Sequence, residues 1–196
     1  MKLNKEEAKK IAEKIDKEGA LYIKKYVVPP KDKLTLVLQT HLVMEKLVNE
    51  ILEAMLVDSN EIEKMYFSKK VQIMGAMGIT QNNIDKKLIE FNSLRNKFAH
   101  NLDYVIQRND LNIFFETTSL ARSTNIETNL LQIIPWIIYF LMGVREYYLA
   151  FPYYMGCSDN KKRLNRDKGF DFESIEKIYE SMDLRGFIEA TRLSRE

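Results

Sequence analysis

The residues best suited to chemistry lie in one short stretch, SLRNKFAH at 93–100, which holds Arg95, Asn96 and His100. His100 is one of only two histidines in the chain. Guanidinium donors fit the oxygens of a phosphate or carboxylate, and imidazole exchanges protons near neutral pH. Three such groups within six residues suit a site that holds an anion and moves a proton. No metal or cofactor is needed for that chemistry, and none is expected.

The stretch belongs to a helix expected over QNNIDKKLIEFNSLRNKFAH, with Thr80 as its cap. At about 100° per residue, Ile84, Leu88, Phe91 and Phe98 gather on a core side, with Leu94 and Leu102 at its margins. Asn92, Asn96 and His100 follow at four-residue steps on roughly the opposite side, with Arg95 on the flank between. Spacing alone favours a solvated face, His100 then resting at the negative end of the helix dipole and Arg95 pairing with a carboxylate such as Asp103. The motif is expected to face solvent or a partner.

Other elements must position this helix. Residues 5–26 place Ala8, Ile11, Ala12, Ile15, Gly19, Tyr22, Ile23 and Tyr26 at the spacing of an amphipathic helix, which VVPP then stops. Leu34–Val57 is apolar almost all round, with the stripe Val37, Met44, Val48, Ile51 and Met55, and reads as a central helix. Ser68 is a candidate N-cap for KKVQIMGAM and Gly78 its C-terminal stop. After the motif, YVIQ and LNIFFE flank RND and are compatible with a small β-hairpin or with irregular chain. A long helix is expected over about 126–151, with a bend near Pro135. A polar loop and one more short helix complete the chain.

With 196 residues and 45% apolar content, the chain suits one domain, 1–196, of five to seven helices. Its 30 basic and 28 acidic residues leave a net charge of +2, too little for a global field that attracts nucleic acid or an anionic membrane. A lone Cys157 excludes an intrachain disulfide and a cysteine-held zinc cluster and fits a reducing cytoplasm. The N-terminus, MKLNKEEAKKIAEK, has no apolar core of a secretory signal, so the mature protein is expected to begin there. LLQIIPWIIYFLMGV spans 15 residues, against roughly 20 for a bilayer, and is expected to be a buried helix or an oligomer contact.

RNKFAH at 95–100 resembles the Arg-x4-His signature of the HEPN superfamily of all-α domains. The order around it is similar to the mannitol-repressor-like group: the apolar helix LTLVLQTHLVMEKLVNEILEAML, then FSKKVQIMGAMGI, then LIEFNSLRNKFAH. The resemblance covers residues 34–104, with an extension at about 124–196. It implies a HEPN-like helical bundle that forms a homodimer with its motif helices facing each other. It further implies metal-independent cleavage of RNA by the neighbouring 2′-hydroxyl, in a toxin or defence role. Arg95 would hold the scissile phosphate, His100 would transfer protons, and Asn96 would orient the histidine or bind phosphate. A C2 axis would bring two such patches into one cleft. The other reading it allows is a non-catalytic dimeric regulatory module. RNA, an antitoxin or a regulatory protein are the partners it suggests; a membrane is not.

Three further features carry expectations of their own. His41 lies on the inner face of the second helix and is expected to satisfy a local hydrogen bond, becoming a support for the motif only if the motif helix packs nearby. Glu45, one turn on, is the expected charge partner of Arg95. KKRLNRDK at 161–168 is the densest basic run, more readily a solvated connector than an RNA-tracking loop.

Overall fold

The computed structural model describes residues 4–26, 32–56, 61–80, 83–116 and 120–154. Among them are six α-helices, one 3-10 turn and no strand, an all-α bundle as the composition and periodicity predict. The basic run at 161–168, Cys157 and the expected last helix lie outside the described residues.

Helix α1 runs Lys5–Tyr26. Its start is fixed by a capping box: Asn4 Oδ1 accepts from the amides of Glu6 and Glu7, at 3.0 and 2.9 Å, while Glu7 Oε2 accepts from the Asn4 amide at 2.9 Å. Helix α2, Lys33–Met55, is capped by Asp32, which accepts from the Thr35 amide at 2.7 Å. Its buried residues include Leu36, Val37, His41, Val43, Met44, Leu47, Val48, Ile51 and Leu52, too broad a set for one stripe. The helix is therefore central, packing against α1, α3, α4 and α6.

Helix α3, Phe67–Ala76, begins one residue before Ser68, with Tyr66 at the cap position and no side-chain capping bond. Burial of Phe67 against α2 sets that start, and Ser68 falls inside the helix. Gly78 does end α3. With φ +71 it occupies the left-handed region, and the Gly78 amide donates to Gly75 O while the Ile79 amide donates to Met74 O, the paired bonds of a Schellman motif.

Helix α4, Ile84–His100, begins after Asn83, whose φ of 62 an asparagine tolerates. Thr80 is not its cap. The Thr80 hydroxyl is turned inward beside Gly75 and, among the described residues, has no hydrogen-bond partner. The core side of α4 is as the wheel placed it, with Ile84, Leu88, Phe91, Leu94 and Phe98 buried, but Leu102 lies past the helix end and is exposed.

In place of a hairpin, RNDL forms a 3-10 turn, Arg108–Leu111, running into a short α5, Asn112–Glu116. Asp110 decides this. Its carboxylate accepts from the Gln107 amide while the Gln107 side chain accepts from the turn, a capping box that commits the segment to helical geometry.

Helix α6, Ile126–Tyr154, continues through Pro135 and packs along α2 and α1. The stretch Ile126–Tyr148 is long and apolar enough to cross a membrane, yet 67% of its most apolar window is buried inside the bundle. The aromatic run is packing: Tyr139, Phe140, Tyr147 and Tyr148 are buried, and Trp136 stacks on Phe140 with ring centroids 6.1 Å apart. Within this layer Arg145 is held by Glu146 at 2.8 Å, Glu50 at 2.9 Å and Glu18 at 3.1 Å.

Candidate functional site

Helix α4 lies against both α2 and α3, and its polar row starts at the α2 contact, where Asn92 meets His41. The row is graded. Asn92, Arg95 and Asn96 are half-buried, and His100, the last helical residue, is exposed. The wheel placed all of the row away from the core, and its first member departs from that. His41 Nε2 and Asn92 Oδ1 are 2.9 Å apart, so Asn92 is bonded across to α2. A helix in the middle of a bundle has more than one contact face, and a single apolar stripe reveals only the first.

Of the three residues singled out by sequence, Arg95 and Asn96 meet directly. Arg95 Nη1 donates to Asn96 Oδ1 at 3.0 Å. His100 stands one turn beyond Asn96 and, among the described residues, has no hydrogen-bond partner. Arg95 likewise has no carboxylate partner among the described residues, and Asp103 does not supply one. Glu45 does not either: its Oε1 accepts from Lys70 Nζ at 3.0 Å. Lys70 is fully buried on α3 and also reaches the Glu63 carbonyl, so it has first claim on that carboxylate.

His41, 5% exposed, is the residue that sequence reasoning set aside and the structure brings to the site. Its ring packs on Phe67 with centroids 4.8 Å apart. Burial lowers its pKa from the ordinary histidine value; the Asn92 bond and Glu45 oppose that, while Arg95 and Lys70 add to it. A neutral imidazole facing an amide oxygen must carry its hydrogen on Nε2. The signal that could have found it is the place of His41 on the inner face of α2, from which it meets Asn92 of the motif helix.

The end of α4 is secured from the other side. Lys97 Nζ donates to Asp110 Oδ1 at 2.6 Å, and the Tyr104 hydroxyl donates to Asp110 Oδ2 at 2.6 Å. The Tyr104 ring packs edge-on to Phe98 with centroids 5.5 Å apart. Residues 101–107 are thus folded back, and His100 stands at a fixed corner.

The arrangement presents a guanidinium, amide nitrogens and an exposed imidazole with no acid beside them, which suits an oxyanion and a proton transfer. Among the described residues no group of three histidine, cysteine, aspartate or glutamate side chains could hold a metal ion. No protein-family model matches the chain, and neither a curated protein nor a solved structure matches it.

Proposed function

We propose that the protein is a metal-independent endoribonuclease of the HEPN type, acting in the cytoplasm in a toxin or defence role. The observation that carries this is the state of Arg95. Lys70, Lys97 and Arg145 each have a carboxylate within 3.1 Å, whereas Arg95, among the described residues, has only the neutral Asn96 amide. A half-buried guanidinium left without an acid is available to an anion from outside.

In the proposed reaction the 2′-oxygen of RNA bonds to phosphorus as the bond to the 5′-oxygen breaks. Two copies of the chain pair through their α4 faces and line one cleft. Arg95 and Asn96 hold the phosphate as its charge rises. One His100 imidazole takes the 2′-hydroxyl proton, and that of the second copy protonates the departing 5′-oxygen. The products are a 2′,3′-cyclic phosphate and a 5′-hydroxyl.

Labelled single-stranded RNA incubated with the full chain in EDTA tests this. Cleavage by the wild type, lost in His100→Ala and Arg95→Ala, is expected. Uncleaved RNA, or equal cleavage by the alanine variants, overturns it. The bond from His41 to Asn92 favours one second reading, a dimeric regulatory module whose polar row serves packing and partner contact, with an antitoxin or regulatory protein as its partner. Intact RNA together with a stable homodimer is the outcome that selects it.

A further inference from the structure

A side-chain amide has an accepting oxygen on one side and a donating NH2 on the other. Both amides of the α4 row have the oxygen committed. Asn92 Oδ1 faces His41 Nε2 at 2.9 Å, and Asn96 Oδ1 faces Arg95 Nη1 at 3.0 Å. Neither NH2 has an acceptor among the described residues, and neither nitrogen is a buried orphan. The two residues are one helical turn apart, with Arg95 between them and His100 one turn further on. The outward surface of the row therefore consists of donors, and the nearest carboxylate on α2, Glu45, is turned aside by Lys70.

We infer that Asn92 is a further phosphate-binding donor of this site and that His41 is its positioning residue. His41 reaches the ligand only through Asn92. It is held by Phe67 behind it, and its Nε2–H fixes the amide with the NH2 turned out beside Arg95. Without that bond the amide is free to turn over and present to a phosphate an oxygen, which repels it, in place of the NH2. The donors touch oxyanion oxygens and read no base edge, so the ligand class is a phosphate, free or within a nucleic-acid backbone. That the phosphate is part of RNA rests on the nuclease proposal; that these four groups hold a phosphate does not.

The test uses the full-length, 15N-labelled protein titrated with inorganic phosphate, and separately with a 2′-O-methyl oligoribonucleotide that cannot be cleaved. The side-chain amide signals of Asn92 and Asn96 are expected to shift and saturate with both. His41→Phe is expected to weaken binding about tenfold, about 1.4 kcal/mol. His41→Gln, which restores an N–H where Nε2 stood, recovers most of it. In an Asn92→Ala background His41→Phe should cost nothing more, because the histidine acts through the asparagine. Unmoved Asn92 signals, or losses that add in the double variant, overturn the assignment. Cleavage at full rate by Asn92→Ala overturns it while leaving the nuclease standing. Shifts with phosphate but no cleavage of RNA support it while removing the nuclease.

Discussion

Lys97 Nζ stands 2.6 Å from Asp110 Oδ1, and this one contact ties the last turn of the motif helix to the turn that follows it. Asp110 is 6% exposed and accepts also from Tyr104 and from the Gln107 amide. Those bonds stabilise the ionised carboxylate and hold His100 at its corner.

Asp110→Asn is expected to cost about 2 kcal/mol, the range for hydrogen bonds to a charged group. The cost has a pH signature. Burial alone would raise the Asp110 pKa, but the bonds from Lys97, Tyr104 and Gln107 outweigh it and leave the carboxyl below its ordinary value. The unfolded chain then binds the proton more tightly than the folded one, so the contribution is complete above the ordinary carboxylate pKa and is lost as pH falls through the folded value. Urea denaturation over a pH series should show wild type and Asp110→Asn converging in acid. A gap that stays constant with pH counts against the assignment.

Arg95→Ala and His100→Ala should be nearly silent in stability, within about 0.5 kcal/mol, because neither group pairs with a carboxylate and His100 is exposed. Thermal unfolding of the two variants measures this. If either lowers the midpoint by many degrees, the group serves packing and its effect on any activity is indirect.

Arg145→Ala is expected to cost about 3 kcal/mol, since it leaves Glu18, Glu50 and Glu146 close together, with Lys14 on Glu146 and Lys46 on Glu50 to offset part of their charge. Arg145→Lys should recover less than half, because one ammonium cannot reach three carboxylates as a guanidinium fork does. Denaturant midpoints for both variants give the comparison.

Gly19 lets α1 lie directly on α6. A methyl group there would meet the Tyr139 ring at 3.0 Å, and Tyr139 is fully buried and cannot step aside. Gly19→Ala gains about 1 kcal/mol in helix propensity but forces overpacking of about 1 to 3 kcal/mol. A net loss of stability is expected in thermal denaturation, and Gly19→Ala with Tyr139→Phe should restore little, because the clash is with the ring.

What could be read from the residues was whatever is local. The bounds of α1 follow from its stripe and from the VVPP that stops it. The centrality of α2 follows from apolar side chains on every face, and Gly78 as a stop follows from its freedom at positive φ. What could not be read depends on partners far apart in the chain. His41 meets Asn92 across 51 positions, and Lys70 takes Glu45 across 25. The hairpin expectation failed for a related reason: YVIQ and LNIFFE alternate too briefly to compete with the capping box that Asp110 builds. For the candidate site, type and spacing located Arg95, Asn96 and His100, while the flank packed on α2 came only with the neighbouring helix in place.

The burial of α6 also bears on how the chain is made. A ribosome emits this helix after α1 and α2, so the surfaces that will cover it are already outside the exit tunnel when its apolar residues emerge. Deleting residues 4–26 would strip away one of those surfaces, and the newborn α6 would then be left to chaperones, aggregation or a nearby bilayer.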